Sequence, residues 1–295
     1  MRTEEYKYNP KVSIVTPSYN QGRFIEQTIL SVKEQGYPNI EHIIIDGGSD
    51  DNTLEILQKY ETQYNMRWVS EPDEGQAHAV NKGFEMAEGD IVGWLNSDDL
   101  YFDCNTISMI VSVFLKNPNV DIVYGDSAKI NSENKVMRIK VVPGFDYTRL
   151  LRHCFVIQPS VFYRAAVVKR DKLNISLRYS MDYEYWLRLG RKYKWMKIDC
   201  ILSADRNHKE RKIIRDVDRS RQETKLLRSS YGKASDARVV FIDRLLNKLE
   251  IGYARIAGVF RLREARNSNH AFNAKFGSSL EMIKNQLFTK DADLL

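Results

Sequence analysis

An α/β fold, built on a mostly parallel sheet with helices on both faces, is what this sequence predicts, and three observations carry it. Short, uniformly apolar runs (VSIV, HIIID, DIVGWL, DIVYGD) alternate with segments whose apolar residues recur at helical spacing. Strands covered on both faces read as continuous apolar runs, whereas half-exposed strands alternate with polar residues. Polar clusters fall at the strand ends, at residues 16–20, 46–51, 70–76 and 96–99. Ligands of such sheets sit outside the carboxyl ends of the strands. One polar cluster could be turn chemistry alone, but four along the same edge mark a site.

The elements follow in order. KVSIVTPSYN is a β-branched strand broken by Thr16-Pro17, after which Phe24, Ile25, Ile29, Leu30 and Val32 recur as one helix face. IEHIIIDGGSDDNT is a second strand and its turn. Asn52 followed by Glu55 has the spacing of a capping box that opens the helix TLEILQKYETQ. MRWVS is a third strand, GQAHAVNKGFEMAEG a helix closed by Gly89, and DIVGWL a fourth strand. NTISMIVSVFLKNP is a helix stopped by Asn117-Pro118, and VDIVYGD is a fifth strand. In the second half AKINSENKVMRIKVV reads as a hairpin about Glu133-Asn134, and FVIQPSVFYR as strand. MDYEYWLRLGRKY is a helix that starts acidic and ends basic, as the helix dipole favours. WMKIDCI is a last strand, and beyond about residue 208 the chain is helical and basic.

Composition narrows the function. The chain has 295 residues, of which 43% are hydrophobic, enough for a large core and an appendage. Cys104, Cys154 and Cys200 are too scattered for a disulfide framework or a zinc site, so free thiols in a reducing cytosol are expected. The start, MRTEEYKYNPK, lacks the apolar core of a signal peptide, and no run is apolar enough for a transmembrane helix. The net charge of +6 is uneven: residues 206–266 hold 17 Lys and Arg against 8 Asp and Glu. That excess suggests an anionic partner, such as a membrane surface or a diphosphate, or simply a solvated basic face. Within it Leu245, Leu249, Tyr253, Ile256 and Phe260 form an amphipathic stripe flanked by Arg238, Arg244, Lys248, Arg255, Arg261 and Arg263.

The chemistry centres on GWLNSDDLYF, where a buried run ends in the adjacent carboxylates Asp98 and Asp99. Two such groups repel each other unless a cation neutralises them. Hard oxygen donors suit Mg²⁺ or Mn²⁺, which need only one or two protein carboxylates when phosphate oxygens and water complete the shell. The bland alternative is a turn-capping Asp98 beside a solvated Asp99.

Five segments, VSIVTPSYNQGRFIEQTILSV, IIIDGGSDDNT, DEGQAHAVNKGF, GDIVGWLNSDD and MDYEYWLRL, occur in order over residues 11–210 and together resemble a family-2 glycosyltransferase of the GT-A fold. The resemblance implies a nucleotide-sugar donor, a divalent metal, and transfer with inversion at the anomeric carbon. It implies a GT-A domain over 1–210, with a nucleotide-sugar half at about 11–125 and an acceptor half at about 126–210, followed by a basic helical extension over 211–295. Asn96-Ser97-Asp98-Asp99 matches the DXD-type motif, making Asp99 the first expected metal ligand and Asp98 a second ligand or ribose contact. Thr16, Pro17 and Tyr19 match the loop that wraps the nucleotide. Asp46 matches the first acidic residue of an Asp-Asp-Gly-Ser motif whose second acidic position is Gly47 here; Asp46 could also merely form the turn.

By the same resemblance Asp73, Gln76, His78 and Asn81 are candidates for ribose and diphosphate contacts, with Lys82 the one cation in that stretch. Asp182 is the expected catalytic base and Glu184 its alternative; two positions apart on a helix, they diverge by about 200°. His153, Gln158 and Ser160 are weaker acceptor-side candidates. His208 is a possible metal ligand, and Arg206 or Lys209 a partner for the diphosphate. Expected partners are a UDP-linked donor and a glycan or lipid-linked acceptor in cell-surface glycan synthesis. An anionic membrane surface or a second copy of the chain could add to these; nucleic acid is not expected. The expected location is the cytoplasm, or the inner face of the cell membrane. Rival classes fit less well. A nucleotidylyltransferase would need a glycine-rich basic loop after the first strand, where TPSYNQGRF stands. An aspartyl phosphatase would place Asp where Thr16 is. A non-catalytic GT-A-like binding module remains the alternative.

Overall fold

The apolar runs become strands of one sheet because each buries its side chains on both faces. The computed structural model describes residues 9–232, Tyr253 and residues 256–260. The expected stripe residues Leu245 and Leu249, with Arg238, Arg244, Lys248, Arg255, Arg261 and Arg263, lie outside the described residues. Strands β1 (Val12–Ser18), β2 (Ile40–Asp46), β3 (Met66–Ser70) and β4 (Ile91–Trp94) pair in parallel in the order β3-β2-β1-β4. Val12, Ile14 and Val15 are fully buried, each side chain contributing about 1.5–3 kcal/mol of transfer free energy.

Helices α1 (Ile25–Lys33), α2 (Thr53–Tyr60) and α3 (Gln76–Met86) connect these strands. Ala77, Ala79, Val80 and Phe84 of α3 pack on one side of the sheet with Val15 and Trp94. On the other side Ile107, Ile110, Val111 and Phe114 of α4 (Thr106–Lys116) pack with Val12 and Ile14.

The parallel order ends at β4. Short β5 (Leu100–Tyr101) precedes α4; β6 (Ile122–Ile130) and β7 (Val136–Lys140) form the hairpin expected about Asn134, whose φ is +64°. After α5 (Tyr147–Arg152) and a single 3-10 turn, β8 (Val161–Arg164) enters antiparallel between β4 and β6. Helices α6 (Ala165–Arg170) and α7 (Met181–Leu189) lead to β9 (Trp195–Arg206), which runs parallel to β6 and antiparallel to β5. Helices α8 (Lys212–Arg215) and α9 (Val217–Tyr231) follow. Among the described residues no helix is long and apolar enough to cross a membrane, and no disulfide links the three cysteines.

Three expectations are corrected. Thr16-Pro17 does not break β1. Its partner β4 reaches only to Trp94, opposite Val15, so one edge of β1 is already unpaired where proline lacks its N–H. The capping box at Asn52 does not form: Asp51 instead accepts the Thr53 N–H at 2.9 Å and the Gly22 N–H at 2.8 Å. Gly89 does not close α3, which ends at Met86; it stands where a Cβ would lie 2.7 Å from the Lys11 carbonyl. Beyond the boundary expected at 210, α9 packs back on the preceding residues. Leu227 of α9 is buried in the core, and Tyr231 O–H donates to Glu184 at 2.6 Å.

Candidate active site

The loop after β4 is held from three sides. Asn96 accepts hydrogen bonds from Gln76 Nε2 at 2.8 Å and Trp94 Nε1 at 2.9 Å, and it donates to Gln158 Oε1 at 2.8 Å. Gln158 in turn donates to the Trp94 carbonyl at 2.6 Å. Thr28 of α1 bonds the Ser97 and Asp99 carbonyls at 2.9 and 2.8 Å. The following two carboxylates therefore stand on a fixed backbone.

They differ in environment. Asp99 is 1% exposed; its Oδ1 accepts the Arg206 N–H at 2.8 Å and its Oδ2 the Asn96 amide at 3.3 Å. Burial, then the neighbouring Asp98 and Asp205, push its pKa well above the usual carboxylate range. Asp98 is the more accessible of the pair, and its Oδ2 accepts from His208 Nε2 at 2.9 Å. The His208 ring packs on Phe24 with centroids 4.6 Å apart, and its buried Nδ1 has no hydrogen-bond partner. One carboxylate oxygen beside one imidazole nitrogen is a donor set that fits Mn²⁺ or Mg²⁺. Among the described residues no three His, Cys, Asp or Glu side chains converge on one point, so phosphate oxygens and water would supply the rest of the shell. Asp99 is thus the buried member of the pair, and Asp98 the one in contact with His208.

The nucleotide-side residues divide. Tyr19 is 61% exposed at the tip of β1. Thr16 is fully buried, its hydroxyl bonded to His42 Nε2 at 2.9 Å, and Pro17 is buried in the strand, so both shape the loop from behind. Asp46 is a turn former: it accepts the Gly48 and Ser49 N–H groups at 3.1 and 2.9 Å and the Ser49 and Ser70 hydroxyls at 2.5 and 2.7 Å. Three of these bonds fall on Oδ2 and one on Oδ1. Asp73 accepts the Gly75 N–H on Oδ1 at 2.7 Å. Its Oδ2 lies 2.7 Å from where a Cβ at Gly47 would stand, with the Tyr19 ring 3.4 Å from the same point. Glycine at 47 thus makes room for the Asp73 carboxylate beside the exposed tyrosine.

Several other candidates are committed elsewhere. Asn81 pairs both ways with the Leu173 backbone, at 2.9 and 2.8 Å, and so holds the segment before α7 rather than a ligand. Lys82 forms an ion pair with Glu71, and His78 accepts the Glu74 N–H at 3.3 Å. Ser160 is buried on the Ser203 hydroxyl at 2.6 Å, and His153 packs on Phe155. Arg206 is fully buried; its guanidinium donates to the Asp98 carbonyl, Gln27 and Asn134 at 2.7, 2.7 and 2.6 Å, which removes it as a diphosphate partner. Lys209 is exposed.

Asp182 lies in the first turn of α7, where its Oδ1 accepts the Tyr183 N–H at 2.7 Å. Burial pushes its pKa up to about 6, with the Tyr183 N–H and Arg211 pulling back and Glu223 adding to the rise. Glu184 is bound by Arg188 at 3.0 Å and Tyr231 at 2.6 Å. Of the two acidic residues, only Asp182 keeps an oxygen without a hydrogen bond among the described residues.

Arg211 escaped the sequence reading. It pairs with Asp205 at 3.0 Å and lies within electrostatic reach of Asp98, Asp99 and Asp182. In the run RNHKERK the sequence singles out Arg206, His208 and Lys209, and nothing in its spacing distinguishes Arg211 from these.

Known proteins align with these features. Residues 13–174 match the family described as glycosyl transferase family 2. Chondroitin synthase of Pasteurella multocida is 27% identical over 219 residues, covering 71% of this chain and 22% of that protein. The Escherichia coli enzyme UDP-Glc:alpha-D-GlcNAc-diphosphoundecaprenol beta-1,3-glucosyltransferase WfgD is 30% identical over 193 residues, covering 64% of this chain and 73% of that one. The chain therefore spans about a fifth of the first relative and about three quarters of the second. Staphylococcus aureus TarS 1–349 in complex with UDP-GlcNAc shares the fold with a TM-score of 0.60 at 16% identity, over 94% of this chain and 89% of that one. The Pyrobaculum calidifontis mannosyltransferase PcManGT, in complex with GDP-Man and Mn²⁺, does so with a TM-score of 0.58 at 20% identity, over 92% and 77%.

Proposed function

This chain belongs to glycosyltransferase family 2, and from that premise we propose that it transfers a sugar from a UDP-linked donor to a hydroxyl of a glycan or lipid-linked acceptor, inverting the anomeric centre. The observation that carries the mechanism is the Asp182 carboxyl, raised to about 6 by burial and keeping one oxygen unbonded, while Glu184 is tied to Arg188 and Tyr231. A base with a pKa near the working pH combines the ionised form with a useful driving force for proton transfer.

In the reaction proposed, Asp182 accepts the proton of the acceptor hydroxyl. The oxygen forms a bond to the anomeric carbon as the bond to the nucleotide diphosphate breaks on the opposite face. Asp98 and His208 would hold a divalent cation, with Asp99 behind them, and when bound that cation would neutralise charge on the leaving diphosphate. Arg211, held by Asp205, adds a positive charge that acts on the acidic pair and on Asp182. Tyr19 and Asp73 flank the nucleotide end, and Gln76 steadies Asn96 beneath it. The relatives support the substrate classes: TarS is seen with UDP-GlcNAc, and the WfgD acceptor is a diphosphoundecaprenol-linked sugar. A lipid-linked acceptor would favour docking at a membrane surface, for which the exposed Tyr253, Ile256 and Phe260 offer an apolar face.

The test is a thermal-stabilisation screen of UDP- and GDP-sugars with Mg²⁺, Mn²⁺ or chelator, followed by turnover assays on the hits. Metal-dependent stabilisation by a UDP-sugar, with nucleotide release lost in Asp182→Asn, is the expected result. Stabilisation by no nucleotide-sugar would favour the non-catalytic binding module instead.

A further inference from the structure

One carboxylate outside the reacting centre is placed in an unusual way. Glu223, in the second turn of α9, accepts three consecutive backbone N–H groups: Arg178 at 3.0 Å on Oε2, and Tyr179 and Ser180 at 2.8 and 2.6 Å on Oε1. These are the residues that lead into α7, and Ser180 is its N-cap. The Ser180 side chain makes no capping bond of its own. Its hydroxyl instead meets Thr224 Oγ1 at 2.7 Å, and because Thr224 donates to the Ser220 carbonyl at 2.9 Å, Ser180 is the donor. Tyr179 O–H donates to Asp216 at 2.9 Å.

The clamp continues past Asp182. Arg228 lies 5.6 Å over the Tyr183 ring, Tyr231 bonds Glu184, and Leu227 enters the core. So α9 grips the chain on both sides of Asp182. The leading N–H groups of a helix have no intrahelical partner and need one. A carboxylate near a helix N-terminus also meets the positive end of its dipole. Here Glu223, more than forty positions away in sequence, takes the N–H of the N-cap Ser180 and those of the two residues before it.

We propose that Glu223 is a positioning residue for the transfer reaction: by fixing the backbone of residues 178–180 it sets where the first turn of α7 presents the Asp182 carboxylate. This rests on the reading of Asp182 as the base. Glu223 does not touch the reacting atoms; it acts through the α7 backbone. Glutamine at 223 keeps the size but has one acceptor oxygen instead of two, and its NH₂ group would face an N–H donor. It also removes a negative charge that favours the protonated form of Asp182. Among the described residues, the charged and titratable groups that bear on Asp182 include Arg211 ahead of α8, Glu223 of α9, Cys154 ahead of β8 and Tyr163 of β8. Of these Arg211 favours the ionised form of Asp182 and Glu223 the protonated form, so loss of the Glu223 charge acts in the direction of a lower pKa.

The experiment compares the full chain with Glu223→Gln, Thr224→Ala and Asp182→Asn. It reads hydrogen exchange over residues 178–184, donor affinity, and the pH dependence of nucleotide release from UDP-glucose or UDP-N-acetylglucosamine with Mn²⁺. Glu223→Gln should speed exchange in that segment and leave donor affinity unchanged. It should lower turnover roughly 10–100-fold, the scale of a small misplacement, and move the acid limb of the profile to lower pH. Thr224→Ala, which removes only the Ser180 contact, should give a smaller change in the same direction and guards against loss of folding. Wild-type exchange and an unmoved acid limb in Glu223→Gln, with Asp182→Asn inactive, would overturn the proposal and leave the base assignment standing. Full turnover in Asp182→Asn would overturn the base assignment, and the proposal with it.

Discussion

His208 Nε2 and Asp98 Oδ2 stand 2.9 Å apart, although 110 residues separate them in the chain. The contact is built by β9, which carries His208 past the end of β6, and by Phe24 and Arg206, which brace the ring and the Asp98 backbone. If this pair holds the cation, His208→Ala and Asp98→Asn should each weaken donor binding in Mn²⁺ by at least the ~10–100-fold that supporting groups of metal sites are worth. Neither should change binding measured in chelator. Calorimetry with a UDP-sugar, with and without chelator, checks this; equal affinity in the two conditions for the unmodified chain would exclude a metal role in binding.

Asp182 gives a prediction with a sign in pH. Its carboxyl is raised from 3.8 to about 6 in the folded chain, so turnover should rise as pH passes through about 6 and the base ionises. Stability runs the other way. The folded state holds the proton more tightly than the unfolded chain, so this group's contribution is most favourable below the ordinary carboxyl range and is lost as pH rises from about 4 to 6. At pH 7 the burial of this charge costs up to about 3 kcal/mol. Asp182→Asn should therefore lower turnover by roughly 10²–10⁴-fold while raising Tm. Thermal unfolding at pH 7 and at pH 4 should show the gain at the higher pH only.

Gly47 supplies a steric test. A Cβ there would lie 2.7 Å from Asp73 Oδ2, and the obstructing atom is the end of a side chain rather than backbone. Gly47→Ala should thus fold normally, shift Asp73 away from Tyr19, and weaken UDP-sugar binding severalfold. Equal donor affinity in Gly47→Ala and the unmodified chain would remove Asp73 from the nucleotide end of the site.

How much of this was legible in the sequence depends on the range of each interaction. The strands announced themselves because burial on both faces requires unbroken apolar runs, and VSIV and HIIID could be little else. The acidic pair was legible because two adjacent carboxylates at a strand end need a cation. What sequence did not disclose was commitment. Thr16, Asn81 and Arg206 have the right chemistry at the right positions, but His42, Leu173 and Gln27 already occupy them. Arg211 and Glu223 were invisible for the converse reason: each acts on residues far away in the chain, and each sits in a charged stretch that looks like solvated surface. The antiparallel entry of β8 was equally hidden, since a four-residue apolar strand reads the same in either direction.

The last prediction concerns the C-terminal region. Tyr253, Ile256 and Phe260 are 71%, 57% and 59% exposed and lie three and four residues apart, so they share one helix face. The surrounding sequence carries the chain's excess of Lys and Arg, each worth about 1 kcal/mol near an anionic leaflet. A truncation that tests this face must keep α9 whole, because Glu223, Leu227 and Tyr231 bind the catalytic body; the cut belongs after Gly232. The full chain should co-sediment with anionic vesicles and be released by salt, while the 1–232 chain stays in solution and keeps donor binding. Negligible binding by both chains would exclude the membrane. A full chain that elutes as a dimer where the truncation elutes as a monomer would assign the same face to a second copy.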